Sequence, residues 1–300
     1  MNDARDRRRE SCASRQVFLL RGSMTPVNMK SANMPDADLL GSARRIISSA
    51  RDRGILLKLV GGLGIYADIS SSDEHLNFFR RMDRMSGPGM FADIDFISSS
   101  KRHKDIKQLF EGELSFSGDM YVNTVYAAQR NIFHHPEGLF DVDVFYDRMH
   151  FSHMIEFVSK DGVGRLSGDS ITLPPADLLL TKLQIHTAER KDLVDIAALL
   201  LRHQVGAGDD AIDTERVVSV LREDWGFWFD AMNNLRKTIE FVRNENASGG
   251  VDEAEAAEIE GKAQRLVSAL EDCEKSRKWQ KRSRKGTKKI WYNEIEEVVR

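Results

Sequence analysis

The chain has 300 residues, of which 41% are hydrophobic and 30% are charged, and its formal net charge at neutral pH is −3. This composition is typical of a soluble globular protein of one large or two ordinary domains, and it excludes a generally basic coat for nucleic acid. Cys12 and Cys273 are too few for a disulfide framework or a zinc cluster, which indicates a reducing cytoplasm. No run approaches the roughly 18 apolar residues of a membrane helix, so no membrane partner is expected.

The first predicted elements surround a pair of glycines. Apolar residues over 37–53 recur with helical spacing and predict an amphipathic helix. The apolar run 55–60 predicts a buried strand that ends at Gly61 and Gly62, because glycine breaks such runs. Residues 65–69 predict a short helix after the glycines.

The middle of the chain alternates strand and helix signals. The stretches around Ser70–Glu74 and Ser86–Gly89 are rich in serine and glycine and predict loops. Beyond them, one strand, one helix and three further strands are predicted, in this order: 91–97, 101–113, 121–126, 131–135 and 139–146. Strands with interspersed helices favour an α/β (α+β) fold with a mixed sheet and flanking helices.

The character of the chain changes near residue 172. Helices are predicted over 176–188, 190–203, 213–245 and 251–275. We therefore divide the chain into a disordered leader, a catalytic domain and a helical domain with a basic C-terminal segment, at 1–35, 36–172 and 173–300. A nucleic-acid-binding arm is the alternative for the leader.

Three acidic residues lie on two of the predicted strands. Asp93 and Asp95 are two positions apart, so on a strand both side chains project from one face, about 7 Å apart. Asp143 lies on the later apolar run 142–145. Three carboxylates on neighbouring strands form a cage for a hard cation such as Mg²⁺, whose shell is completed by waters and substrate phosphates. The alternative is that Asp-x-Asp occurs by chance and is solvated.

A second group of charges lies in the predicted helices after residue 173. Lys182 stands among leucines, and lysine is rarely buried without a partner. Asp192 and Asp195 are three positions apart and share one helix face. The alternative is ordinary surface charge, with the Lys182 stem lying along apolar neighbours.

Basic residues interleaved with aromatic ones follow near the C-terminus. The basic residues are Lys275, Arg277, Lys278, Lys281, Arg282, Arg284, Lys285, Lys288 and Lys289. Trp279, Trp291 and Tyr292 lie among or just after them. This pattern suits a phosphate backbone with exposed bases, and the alternative is a solvated helix end balanced by the acidic stretch 252–260.

The order of these motifs resembles the nucleotidyltransferase superfamily related to DNA polymerase β. Its signature is a hydrophobic strand, Gly-Gly or Gly-Ser, an apolar-flanked Asp-x-Asp and a third acidic residue on a further strand. The chain departs from the usual pattern in one place, since Asp93 lies 31 positions after Gly62. The resemblance implies that Asp93, Asp95 and Asp143 hold two magnesium ions, for which manganese could substitute. It also implies a nucleoside triphosphate substrate whose phosphates approach Gly61 and Gly62.

The later segment resembles abortive-infection type nucleotidyltransferases, which include the toxin halves of bacterial toxin–antitoxin pairs. The matching residues are an acidic residue, Lys182, and then Arg190, Lys191, Asp192 and Asp195, and the resemblance covers roughly residues 55–205. It implies that Lys182 contacts the triphosphate, that Arg190 and Lys191 add positive charge, and that Asp192 positions the acceptor or holds Lys182. A cognate antitoxin protein becomes an expected partner.

Three functions are open from the sequence. The first is nucleotidyl transfer to RNA in the cytoplasm, which the basic C-terminal segment favours. The second is nucleotidyl transfer to a small molecule, as in aminoglycoside adenylyltransferases. The third is a non-catalytic module with the same fold that binds RNA or acts like an antitoxin, against which the presence of all three carboxylates argues.

Overall fold

The computed structural model describes residues 34–84 and 89–294. The predicted leader at 1–35 lies outside these residues except for Met34 and Pro35. The predicted loop at Ser86–Gly89 lies outside them except for Gly89. Among the described residues, no helix combines the length and the apolar character needed to span a bilayer.

The first part of the chain alternates helices and strands. In chain order these are α1 (Asp36–Asp52), β1 (Leu57–Leu59), α2 (Gly61–Ile69), α3 (Asp73–Arg81), β2 (Asp93–Ser98), α4 (His103–Lys107), β3 (Ser117–Gly118), α5 (Val122–Val125), β4 (Arg130–His134), β5 (Asp141–Tyr146), β6 (Arg148–His150) and β7 (Met154–Glu156). A 3-10 turn at Ser100–Arg102 precedes α4 and a π-helical turn at Gln108–Glu113 extends it, so the helix predicted over 101–113 is confirmed as helical backbone.

The second part is almost entirely helical. Its elements are α6 (Pro175–Leu183), α7 (Arg190–Arg202), β8 (Val205–Gly206), β9 (Ile212–Asp213), α8 (Thr214–Leu221), α9 (Trp225–Ser248), α10 (Glu253–Asp272) and α11 (Arg277–Ser283). Proline at the first position of α6 is tolerated because the first amides of a helix have no intrahelical partner. The predicted mixed α/β architecture is confirmed.

Five strands form one mixed sheet in the order β1-β2-β5-β4-β3. The central pair β2 and β5 is parallel, and the other pairs are antiparallel. In the parallel pair, Asp93 lies opposite Asp141 and Asp95 lies opposite Asp143. This register sets the acidic residues of the two strands side by side.

Alternation of buried residues explains which face of β2 carries the carboxylates. Ile94 and Phe96 are fully buried on one face, whereas Asp93 and Asp95 are half-buried on the other. A one-residue slip would bury both carboxylates and expose both apolar side chains, because side chains alternate with period two. The apolar face therefore fixes where the acidic face points.

The helices of the second part pack against those of the first. α6 and α7 contact α2, α7 also contacts α3, and the buried apolar residues form one continuous core. The backbone of Leu59 hydrogen-bonds to Ile171 at 2.7 Å and to Leu173 at 3.3 Å. The chain near residue 172 is thus attached to β1, and the division into 36–172 and 173–300 stays a prediction.

The predicted strand over 121–126 is wrong, because Val122–Val125 form α5. Asp119 accepts a hydrogen bond from the Val122 amide at 2.7 Å and starts the helical turn. The Asn123 side chain then donates to and accepts from the backbone of Ile132, at 2.9 and 2.7 Å. Branched and aromatic residues predicted a strand, but these polar contacts hold one helical turn against β4.

The helix predicted over 176–188 ends earlier, at Leu183. At this point Asn234 on α9 donates to the carbonyl oxygens of Leu183 and Ile185, at 3.1 and 2.7 Å. Carbonyls that leave the helix thus keep hydrogen-bond partners, as buried backbone groups require. This tertiary contact has no local signature in the sequence.

The helix predicted over 213–245 is two helices, α8 and α9. Asp224 lies between them and accepts hydrogen bonds from the amides of Gly226 and Phe227, at 2.8 and 3.2 Å. An aspartate in this position begins a new helix because it satisfies amides that lack intrahelical partners. Periodicity alone does not reveal the interruption.

Candidate functional site

The two glycines form the turn from β1 into α2. Helix α2 begins at Gly61, four residues before the predicted start at Ile65. Gly61 has φ +66°, and a Cβ there would lie 2.5 Å from an Asp95 carboxylate oxygen. A Cβ on Gly62 would lie 2.4 Å from Nη2 of Arg84. Both glycines therefore let charged side chains of the chain itself approach the helix start.

The N-terminus of α2 suits an anion. Its N-cap residue, Val60, makes no capping hydrogen bond through its side chain, and its first turn contains no acidic residue. Gly61, Gly62 and Leu63 line a cavity of about 290 Å³, which we name the carboxylate cavity. A helix N-terminus carries partial positive charge and unsatisfied amides, which favour phosphate groups.

Asp93 and Asp95 line the same cavity from β2. The Asp95 carbonyl accepts a hydrogen bond from the Val60 amide at 3.0 Å, which fixes β2 next to the glycine turn. Thus the predicted Gly-Gly and Asp-x-Asp motifs meet, although Asp93 is 31 positions beyond Gly62. Of the intervening described residues, those of α3 do not line the cavity, whereas Arg84, Met90 and Phe91 do.

Asp143 is adjacent to Asp95 but is held by an arginine. It is 1% exposed and does not line the carboxylate cavity. Nε of Arg130 donates to both of its carboxylate oxygens, at 2.7 and 2.8 Å, and Nη2 donates to one of them. Burial lowers the pKa of Arg130, but the bond and charge of Asp143 outweigh this and raise it, with smaller contributions from Asp95 and Asp93.

Lys182 lines the cavity from α6. Its ammonium group lies 2.8 Å from Asp195 and 3.1 Å from Asp192, and the residue is only 7% exposed. Burial lowers the pKa of Lys182, but the charges of Asp195 and Asp192 together outweigh burial and raise it. Lys182 is therefore a fixed cation, and Asp192 holds it, which is one of the two roles implied for Asp192.

Arg84 is a second cation of the cavity wall that the sequence reasoning missed. It pairs with both oxygens of Asp195, at 2.7 and 3.0 Å, and donates to the Met90 carbonyl at 2.9 Å. Its guanidinium lies 4.8 Å from the centre of the Phe91 ring. Arg84 lies just before the predicted loop at Ser86–Gly89, and no local pattern marks its pairing with a residue 111 positions away.

The two basic residues at the start of α7 have different surroundings. Lys191 lines the carboxylate cavity, as the resemblance implies, and lies 3.2 Å from Glu189. Arg190 does not line it. Arg190 pairs with Glu245 at 2.7 Å and donates to the Met82 carbonyl at 2.9 Å, so it ties α7 to α9 and to the end of α3.

The oxygen donors at the cavity can be tested against the implied magnesium. In the ranges 34–84 and 89–294, no three His, Cys, Asp or Glu side chains converge as a metal-binding group. Magnesium is nonetheless commonly held by one or two carboxylates together with substrate phosphates. Asp93 and Asp95, beside the glycine turn, supply that donor set. These residues fit a cation that arrives with a phosphorylated substrate.

Comparison of the chain with protein-family models, with curated proteins and with solved structures finds no match.

The buried charges around Asp195 generate a prediction about stability. Asp195 is fully buried and pairs with both Arg84 and Lys182. Asp195→Asn leaves these cations short of one negative charge, so we expect the free energy of unfolding to fall by about 3–5 kcal/mol. Urea denaturation followed by circular dichroism measures this loss.

Asp209→Asn is the control for this prediction. Asp209 also pairs with an arginine, Arg165, but its side chain is 61% exposed. Exposed pairs contribute about 0–1 kcal/mol, so this variant should unfold almost like the wild type. Equal losses in the two variants would contradict the assignment of Asp195 as the centre of the network.

Proposed function

We propose that the chain is a magnesium-dependent nucleotidyltransferase of the superfamily related to DNA polymerase β. It would move a nucleoside monophosphate from a nucleoside triphosphate to an acceptor hydroxyl and release pyrophosphate. One observation carries the proposal. Asp93 and Asp95 lie beside the N-terminus of α2, and the fixed cation Lys182 lines the same cavity.

Each wall of the cavity suits one part of that reaction. The amides of Gly61, Gly62 and Leu63 would bind phosphate oxygens, helped by the dipole of α2. Lys182 would add a positive charge, already oriented by Asp192 and Asp195.

Asp93 and Asp95 would hold the magnesium. When bound, this cation neutralises charge on the transferring phosphoryl group. The chain itself supplies orientation and fixed charge, which dominate catalysis of phosphoryl and nucleotidyl transfer.

Variants of the carboxylates test the proposal. Asp93→Asn or Asp95→Asn should reduce nucleotidyl transfer by at least about a hundredfold, because each removes a negative ligand with almost no change in volume. Their melting temperatures should equal or exceed that of the metal-free wild type, since clustered like charges repel each other. Transfer is measured with nucleoside triphosphates labelled at the α-phosphate.

Asp141→Asn is the matched control. Asp141 lies opposite Asp93 on the neighbouring strand, but it pairs with His134 at 2.8 Å and does not line the carboxylate cavity. It should keep near-native transfer. Near-native transfer in Asp93→Asn or Asp95→Asn would overturn the proposed metal site.

A second cavity favours RNA over a small molecule as the acceptor. This basic cavity has a volume of about 580 Å³ and is formed by the β6–β7 hairpin, the start of α9 and the C-terminal segment. Lys278, Lys281 and Lys285 line it, and within the described part of the chain their ammonium groups have no acidic partner. Tyr292 also lines it and is partly exposed, whereas Trp225 lines it but is only 6% exposed and lies under the Arg282 guanidinium. Cations with aromatic surface bind the phosphates and unpaired bases of a single strand.

Acidic residues also border the basic cavity, but they are already engaged. Asp224 accepts hydrogen bonds from the first amides of α9. Glu223 lies 3.7 Å from Arg222. The charge left at the cavity wall is therefore mainly positive.

The C-terminal segment that completes the basic cavity is fixed by a buried aspartate. Asp230 accepts hydrogen bonds from Trp291 at 3.0 Å, from His153 at 2.8 Å and from His186 at 3.1 Å. Burial raises the pKa of Asp230, but the hydrogen bonds from His153, Trp291 and His186 outweigh burial and lower it. Tyr292 stacks on His186 with ring centres 3.6 Å apart.

The two cavities lie on opposite sides of the same hairpin. Met149 and Phe151 line the carboxylate cavity, whereas His150 and Ser152 line the basic cavity. A strand held in the basic cavity would therefore be one hairpin away from Asp93 and Asp95. This proximity would let the end of a bound RNA reach the proposed site of transfer.

Neutralising the three lysines tests the acceptor. Lys278→Gln/Lys281→Gln/Lys285→Gln should raise the Michaelis constant for RNA about tenfold or more and change the turnover number less, because the contacts are remote from the reaction. The salt dependence of RNA binding should also become shallower, since fewer counterions are released. Arg282 is left intact because it donates to three carbonyls of its own segment.

A variant with the same charge change serves as the control. Lys104, Lys160 and Lys237 are exposed and line neither of the two cavities, so replacing them with glutamine should leave RNA binding almost unchanged. If the wild type does not bind RNA at low salt, or if both triple variants weaken binding equally, RNA is excluded as the acceptor. A small-molecule acceptor then becomes the leading alternative. A cytoplasmic location is a proposal that rests on the low cysteine content, and a cognate antitoxin partner is a proposal that rests on the resemblance alone.

A further inference from the structure

Arg130 occupies the position beside Asp143 where a second cation is expected. Arg130 opens β4, and Ile132, two residues later on the same face, lies opposite Asp143 in the antiparallel register. The guanidinium therefore projects toward the third carboxylate from the neighbouring strand. Two of its three nitrogens, Nε and Nη2, donate to Asp143, which is almost fully buried.

Several contacts oppose displacement of this guanidinium. Charge-assisted hydrogen bonds from arginine to a carboxylate are strong and directional, and leaving either partner buried and unpaired is costly. The guanidinium also lies 5.2 Å from the centre of the Phe145 ring. The Arg130 side chain is only 23% exposed, so most of it is packed against the protein in this position.

The lining of the carboxylate cavity also favours a single metal ion. Asp143 is engaged by Arg130 and does not line the cavity. The remaining carboxylates, Asp93 and Asp95, are the two that line the cavity.

We infer that Arg130 takes the place of a second cation at Asp143, so that the site binds one divalent ion, which Asp93 and Asp95 would hold. This inference rests on the proposed function, because it concerns the same metal site. It departs from the two ions that the resemblance implies. Arg130 is a positioning residue here, since it acts through Asp143 and sets how many ions the site accepts.

The number of bound ions tests this directly. The full chain is dialysed against Mn²⁺ and a non-reactive α,β-methylene analogue of each nucleoside triphosphate in turn. The excess Mn²⁺ on the protein side, counted by electron paramagnetic resonance after acid release, gives the ions bound per chain. We expect one ion for the wild type.

Variants assign this count to Arg130. Arg130→Gln uncovers Asp143 and should bind two ions. Arg130→Gln/Asp143→Asn removes both charges of the pair, so this double variant should again bind one ion. Because it leaves no buried charge unpaired, it also serves as the folded variant if Arg130→Gln is unstable. Arg165→Gln is the control, because Arg165 pairs at 2.6 Å with Asp177, which is fully buried, and neither residue lines the carboxylate cavity. It should bind one ion.

The outcomes separate this inference from the proposed function. Two ions in the wild type, or one ion in a folded Arg130→Gln, would overturn the role of Arg130 and leave the metal site intact. Asp93→Asn should bind no ion. If the wild type also binds none, the metal site itself is overturned, and this inference with it.

Discussion

The parallel pairing of β2 with β5 is the constraint on which the site depends. Its register sets Asp95 directly beside Asp143, with Asp93 one pleat away on the same face as Asp95. Carboxylates at this spacing repel each other, more strongly where water is excluded. Positive charge must therefore surround them, and the chain supplies it from the strand β4, through Arg130, and from the N-terminus of α2.

On the other wall of the carboxylate cavity, carboxylates balance buried cations. Lys182 and Arg84 are buried cations, and Asp195 lies between them with Asp192 beside Lys182. This network joins α6 and α7 to the segment just before β2, so it fixes the distance between the cations and the carboxylates. The apolar core beneath both walls is continuous, which makes the cavity a property of the whole packing. Rigid charges of opposite sign on facing walls are suited to a substrate that carries phosphates.

The sequence predicts those parts of this arrangement that are local. Apolar runs predict the strands β2 and β5, and the period of a strand predicts the shared face of Asp93 and Asp95; the strands and carboxylates are found there. Arg84 and Arg130 are not predictable in the same way, because each pairs across elements and nothing in its own segment signals the partner. The strand prediction at α5 fails for the same reason, since Asn123 is held by a hydrogen bond to β4. Long-range polar contacts decide these features, and single-sequence periodicity does not record them.

A transfer assay on the wild-type chain tests nucleotidyl transfer at Asp93 and Asp95 most directly. The protein is incubated with magnesium, total cell RNA and each nucleoside triphosphate, labelled in turn at the α- and the γ-phosphate. We expect α-label to become covalently attached to RNA and γ-label to leave as pyrophosphate, and we expect both results to be lost without magnesium. Release of γ-label as inorganic phosphate, or absence of any attached α-label with all four triphosphates, would contradict nucleotidyl transfer at Asp93 and Asp95.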